Sequence, residues 1–344
     1  MAIKKNITVL IVDDSLFFRK ALQQALEKDK FIDVIGCVES ANAAEKFLNE
    51  VKPDVITLDV EMPGKKGTEF IREIVPKYQV PVVLVSSMNL SVFEALQYGA
   101  IDFVKKPDMT KDSDFAGFIN ELAVKVKIAS SATIKKRTNL IVNTPLTLKS
   151  YSGSNTVVAI GASTGGTEAT LEILKQLPSN SPPIIVTQHM PPGFTNMYAE
   201  RLNRICNIQV KEATNGMRLE QGLAIIAAGN QHMKLEKDDR GYYVRSVEGE
   251  KVSGHCPSVD VLFESVATKA GKNAIGVILT GMGRDGASGL LKMRQAGAYT
   301  IGQNQETCIV YGMPMVANQI GAVMQEAAIQ DIAGILIKKM NKTE

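Results

Sequence analysis

Apolar and polar positions alternate between two periods along the first 128 residues. Short apolar runs occur at TVLIV (8–12), DVIGCV (33–38), DVITLD (54–59), PVVLVSS (81–87) and DFVKKP (102–107). Each is followed by a stretch with helical spacing. In SLFFRKALQQALEK (15–28), Phe18, Leu22, Ala25 and Leu26 fall at i, i+4, i+7 and i+8, one stripe on a helix. ANAAEKFLNE (41–50), TEFIREIV (68–75), SVFEALQYG (91–99) and DSDFAGFINELAVKV (112–126) read the same way. Five strand–helix units in succession predict a five-stranded, doubly wound parallel sheet with helices on both faces.

The periodicity lapses over ASSATIKKRTNLIVNTPLTLKSYSG (129–153), which reads as a linker rich in Ser, Thr, Lys and Pro. It resumes at TVVAIGAS. Strands are expected at about 156–160, 184–187, 223–228, 274–280 and 299–303, with a hairpin in HMKLEKDDRGYYVRSV turning at Asp238–Gly241. This predicts a second doubly wound, mostly parallel α/β domain that carries a hairpin. The expected layout is domain 1–125, linker 126–153 and domain 154–344. A chain of 344 residues has room for two cores of this size.

Composition adds three restrictions. The 45% hydrophobic and 22% charged content is that of a globular protein, and no run nears the roughly 18 apolar residues of a membrane span. The four cysteines (37, 206, 256, 308) show no CxxC spacing, so reduced thiols in a cytoplasmic protein are expected. The net charge is +3, yet Leu122–Thr167 holds six basic residues and no acid. That stripe lacks aromatic interleaving and no helix-turn-helix follows it, so it is read as a solvated linker with no nucleic-acid partner.

In an open parallel sheet, ligands gather at the carboxyl ends of the strands. In the first domain those ends carry Asp13 and Asp14, then Asp59, then Ser86 and Ser87, then Lys106 before Pro107. Three carboxylates at one edge repel each other unless a cation sits among them, and hard oxygen ligands suit Mg²⁺. Lys106 would face a phosphoryl group as a point charge, with the Ser86 hydroxyl bonding the same group. VDDS, LDVEMPGKKG, VSS and VKKP resemble the receiver domain of bacterial response regulators. That resemblance implies a flavodoxin-like fold with Asp59 phosphorylated by a chemotaxis histidine kinase. It implies Mg²⁺ held by Asp13 or Asp14, Asp59 and the Glu61 carbonyl. It also implies Ser86 and Phe103 as a switch pair, with Lys106 contacting the phosphate.

The second domain opens on VVAIGASTGGTEA (157–169). A P-loop needs lysine where Thr167 stands. A dinucleotide fingerprint needs glycine at Ser163 and an acid where the next strand ends in Gln188-His189. What fits is G-x-S-x-G between strand and helix, with Ser163 as nucleophile. A serine needs a base and the base an orienting acid. His189 ends the second strand of this domain, and Asp285 lies in the glycine-rich turn after AIGVILT. His232 and His255 are read as surface or packing residues. The His255–Cys256 pair is set aside as a cysteine nucleophile because no strand end presents it. The order Ser, His, Asp differs from the α/β-hydrolases, which run Ser, Asp, His.

AIGASTGGTEA, QHMPPGFT, PSVDVLFESVA and LTGMGRDGA resemble the catalytic domain of the chemotaxis protein-glutamate methylesterases, the CheB family. With the receiver in front, the resemblance spans nearly the whole chain. It implies hydrolysis of glutamate γ-methyl esters on the cytoplasmic helices of chemoreceptors, releasing methanol, and deamidation of receptor glutamines. The hydrolase site would need no cofactor. The backbone N–H groups of Thr164 and Met282 are the expected oxyanion donors. The receiver is expected to cover the Ser163 cleft until Asp59 is phosphorylated.

Overall fold

The chain divides into two units, Met1–Arg137 and Thr138–Glu344. The structure, a computed structural model, describes residues 6–87, 90–107, 112–132 and 156–341. The central part of the expected linker, with Lys135, Lys136, Arg137 and Lys149, lies outside the described residues.

In the first unit, β1 (Ile7–Val12), β2 (Ile32–Val38), β3 (Val55–Asp59), β4 (Val82–Ser86) and β5 (Asp102–Lys105) form one parallel sheet in the order β2-β1-β3-β4-β5. The helices are α1 (Leu16–Leu26), α2 (Ala41–Glu50), α3 (Gly67–Tyr78), α4 (Ser91–Gln97) and α5 (Asp112–Ala129). The expected stripe on α1 is the buried one: Phe18, Leu22 and Leu26 face the core. Ser15 and Ser40 cap α1 and α2, each accepting an N–H three residues on. Helix α5 runs on to Ala129, past the point where the linker was expected to begin. Two lysines of the basic stripe are used inside this unit: Lys125 pairs with Asp102 and Glu121, and Lys127 with Asp29.

In the second unit the strands are β6 (Val157–Ala162), β7 (Ile184–Gln188), β8 (Gln209–Glu212), β9 (Leu223–Ile226), β10 (Gln231–Asp238), β11 (Gly241–Glu248), β12 (Ala274–Ile278), β13 (Tyr299–Gln303) and β14 (Gln325–Ala327). The helices are α6 (Gly166–Leu174), α7 (Phe194–Ile205), α8 (Val259–Lys269), α9 (Ala287–Gln295), α10 (Met313–Gln319) and α11 (Ile329–Met340). Seven strands pair in the order β14-β13-β12-β6-β7-β9-β8, and every pairing is parallel. Strands β10 and β11 form the expected hairpin, with Asp238 opposite Gly241.

Two edge strands, β8 and β14, were not expected. QVKE and QEA offer four and three residues with almost no apolar run, because an edge strand has one neighbour and little burial. The centre is the reverse: β6 is buried at all six positions, as a strand covered on both faces requires. It lies between β7 and β12, so the chain leaves β6 toward one side of the sheet and returns on the other. That is the switch point where a crevice opens. Among the described residues, no helix is long and apolar enough to cross a membrane.

Candidate active site

Ser163 follows the last residue of β6, one turn before α6. The turn is tight because Gly165 has φ +77°, a left-handed conformation that a side chain resists. The backbone around the serine is bonded on three sides. Ser163 N–H donates to the Thr280 carbonyl at 3.0 Å, Gly166 N–H donates to the Ser163 carbonyl at 2.7 Å, and Gln188 Nε2 donates to the same carbonyl at 2.9 Å. Gly281 presses against it from the turn after β12. A Cβ built there would lie 2.6 Å from Ser163 Cβ, closer than packed carbons approach.

The neighbouring strand ends supply the other two groups. His189 continues the β6–β7 ladder, its N–H donating to the Ala162 carbonyl at 3.1 Å. Its Nδ1 lies 3.1 Å from Ser163 Oγ and its Nε2 lies 2.8 Å from Asp285 Oδ2. An ionised carboxylate only accepts, so Nε2 carries the hydrogen and Nδ1 has a lone pair for the serine hydroxyl. Ser163, His189 and Asp285 thus come together as the residue pattern requires.

Asp285 is buried and richly bonded. Its Oδ1 accepts from Ser258 Oγ at 2.8 Å and Asp260 N–H at 3.0 Å; its Oδ2 accepts from Val259 N–H at 2.7 Å as well as from His189. Val259 and Asp260 are the first residues of α8, so the carboxylate sits at a helix N-terminus. Burial alone would push this carboxyl up; the His189 bond and charge and the two helix N–H donors outweigh it and hold it near 2. Neighbouring Asp260 shifts the other way, raised by burial and by the charge of Asp285. The pair therefore concentrates its negative charge on the member that faces the histidine.

A depressed carboxyl stabilises the folded state above its unfolded value near 3.8, and that stabilisation is lost as pH falls through 2. The loss should be on the order of 2 kcal/mol. Denaturant titrations at pH 4 and pH 2.5 on the wild type and Asp285→Asn should show an acid-dependent loss that is smaller in the variant.

The expected oxyanion residues flank the serine. Thr164 is buried beside it, and Met282, 42% exposed, lies on the turn that Gly281 presses against Ser163. Of the remaining histidines, one is more involved than the pattern suggested. The His255 ring stacks on His189, with centroids 3.7 Å apart and planes 12° from parallel. His232 is buried: Nε2 lies 2.8 Å from the Glu250 carbonyl, and Nδ1 accepts the Ser258 N–H at 3.2 Å. His232 is thus the packing residue expected, whereas the contact of His255 with His189 was not legible, since a loop carries it. Burial pushes the Cys256 thiol up, the wrong direction for a thiolate nucleophile.

The first unit holds a separate acidic site. Carboxylate oxygens of Asp13, Asp14 and Asp59 lie within 4.8 Å of one another, with Asp13 and Asp59 buried and Asp14 exposed. An all-oxygen set of this charge fits a hard divalent cation such as Mg²⁺. Lys106 Nζ bridges Asp13 Oδ2 at 2.9 Å and Asp59 Oδ2 at 2.6 Å. Asp59 Oδ1 accepts the Glu61 N–H at 2.8 Å, and Glu61 also accepts from the Ser87 hydroxyl. Burial pushes Asp59 up to about 6 against the opposing pull of Lys106. The Ser86 hydroxyl donates to the Ser87 carbonyl at 3.0 Å, and buried Phe103 packs edge-on against Phe93 with centroids 6.4 Å apart.

Residues 158–336 match the CheB methylesterase family, and residues 9–112 match the response regulator receiver domain family. A protein of Syntrophomonas wolfei described as "Protein-glutamate methylesterase/protein-glutamine glutaminase 2" is 49% identical over 98% of this chain and 99% of its own. The Escherichia coli K12 protein-glutamate methylesterase/protein-glutamine glutaminase is 42% identical over 98% of this chain and 97% of its own. The crystal structure of the Thermotoga maritima CheB methylesterase catalytic domain superposes with a TM-score of 0.53 at 36% identity, covering 54% of this chain and 98% of that one.

Proposed function

The chain belongs to the CheB methylesterase family, with a response regulator receiver domain in front, and from that premise we propose that it is a phosphorylation-activated chemoreceptor methylesterase. Its substrates are glutamate γ-methyl esters on the cytoplasmic helices of chemoreceptors, and glutamines at such positions that it deamidates. The observation that carries this reading is the unbroken line Ser163 Oγ, His189, Asp285 across the loops that follow β6, β7 and β12.

In this mechanism Ser163 Oγ attacks the ester carbonyl carbon while His189 Nδ1 takes its proton. The oxyanion forms beside the backbone N–H groups of Thr164 and Met282; one such donor is typically worth about 2.7–4 kcal/mol. The intermediate collapses, the C–O bond to the methoxy group breaks, and His189 protonates the departing oxygen to give methanol. The glutamyl group is then esterified to Ser163. Water, deprotonated by His189, attacks that ester and releases the glutamate carboxylate and free Ser163. With glutamine the leaving group is ammonia and the remaining steps are the same. Asp285 stabilises the imidazolium and fixes its tautomer.

At the other site, Asp59 accepts a phosphoryl group from a chemotaxis histidine kinase. Asp13, Asp14, Asp59 and the Glu61 carbonyl would hold Mg²⁺, which offsets the negative charge of the phosphoryl group. Lys106 neutralises the phosphate from the other side, and Ser86 with Phe103 relays the change. The unphosphorylated receiver inhibits the catalytic domain, and phosphorylation lifts that inhibition. Methanol release from methylated receptor membranes, with and without a small phosphodonor, tests this reading. The phosphodonor should raise the wild-type rate, Asp59→Ala should abolish the increase, and a 154–344 fragment should match the activated enzyme without it. A fragment no faster than the unphosphorylated full chain would overturn the inhibition.

A further inference from the structure

We propose that His255 is a positioning residue for the catalytic base: its ring is a flat wall that holds the His189 imidazole in its working plane. The inference rests on the reading of Ser163, His189 and Asp285 as a triad.

Two hydrogen bonds fix His189, one at each ring nitrogen. Both bonds act at edge atoms in the plane of the ring, so with the Cβ attachment they oppose a tilt of the ring out of that plane only weakly. The nitrogens' bonding directions are not collinear, so such a tilt swings the Nδ1 lone pair away from Ser163 Oγ and the Nε2 hydrogen away from Asp285 together. Neither bond touches the face of the ring, and His255 does. At 3.7 Å and 12° the rings touch over their flat surfaces, a contact that opposes tilt and permits sliding in the plane. In-plane sliding is the motion the base needs to carry a proton from Ser163 to the leaving group. The wall also covers one ring face from water, and the His189 side chain is 8% exposed.

His255 is itself firmly carried. Its N–H and carbonyl exchange two hydrogen bonds with Val252, each 3.0 Å. The connection between β11 and α8 that bears it is clipped near both ends by one buried residue: His232 meets the Glu250 carbonyl through Nε2 and the Ser258 N–H through Nδ1. The same connection then delivers the Ser258 hydroxyl to Asp285. One ten-residue connection (249–258) thus supports the face of the base and the acid behind it.

The test uses the full-length protein with a phosphodonor, reading methanol from methylated receptor membranes for His255→Ala, His255→Leu and His255→Phe. The Ala and Leu variants should lose about three- to tenfold in kcat at unchanged KM, the scale of an aromatic contact. The Phe variant, which keeps the planar ring, should recover to within about twofold of the wild type. Labelling of Ser163 by a small sulfonyl fluoride, which makes no receptor contacts, should slow in step with kcat, and melting temperatures should stay unchanged. Full kcat in His255→Ala, a loss confined to KM with normal labelling, or Leu performing as well as Phe would each overturn the proposal. If the wild type itself released no methanol, the triad reading would fall instead, and the labelling series would still decide whether the wall matters.

Discussion

Ser163→Ala is expected to lower kcat for methanol release by about 10⁴- to 10⁶-fold, the range seen when a serine nucleophile is removed. The loss is chemical rather than structural. All three bonds that hold residue 163 in its turn use the backbone: its N–H to Thr280, and its carbonyl to Gly166 N–H and Gln188 Nε2. Alanine keeps every one of them, so melting temperature and receptor binding should be unchanged. Gly281 already excludes bulk at this point, and removal of one oxygen adds none. The small residual rate would come from the oxyanion donors and from substrate binding. A steady-state rate within tenfold of the wild type would remove Ser163 from the nucleophile's role.

Asp285→Asn is expected to cost about 10⁴-fold in kcat. Each oxygen of Asp285 accepts a backbone N–H, Oδ1 from Asp260 and Oδ2 from Val259. An amide NH₂ must therefore oppose one of them whichever way it turns. Turned toward His189, it also donates where Nε2–H needs an acceptor. The histidine then places its hydrogen on Nδ1, facing Ser163, and can no longer take the serine's proton. Turned the other way, it leaves the imidazolium without its counter-charge and sets NH₂ against Asp260 N–H. The variant should lose both rate and stability, which separates it from Ser163→Ala, where rate alone falls. The depressed Asp285 carboxyl stays ionised down to about pH 2. Any acid limb in the wild-type rate above pH 4 therefore belongs to another group.

The strongly periodic parts of this chain were legible. Alternating strands and helices marked both sheets, and Ser163, His189 and Asp285 were readable as candidates because each lies in the loop after a central strand, where the structure brings them together. The edge strands β8 and β14 were not, since few residues and few apolar positions leave no period to detect. The contact of His255 with His189 is hidden for a different reason. A residue's distance along the chain from Ser163 says nothing about a connection that folds back over the site. His255 lies 66 positions after His189, yet the rings touch. The orientation of His189, with Nδ1 toward serine and Nε2 toward the acid, is likewise set by three-dimensional placement. In the receiver, the Ser86 hydroxyl donates to the Ser87 carbonyl, a local partner that the spacing of VSS does not reveal.

The covalent step at Ser163 is central to the proposed reaction. It is tested most directly by acid-quenching the phosphodonor-treated enzyme during turnover of receptor carrying isotopically labelled methyl-glutamate. The protein is then digested and the label located. Label from the glutamate carbons, and none from the methyl group, is expected on the peptide containing Ser163. Methanol release with no label on that peptide, or label on another residue, would contradict it.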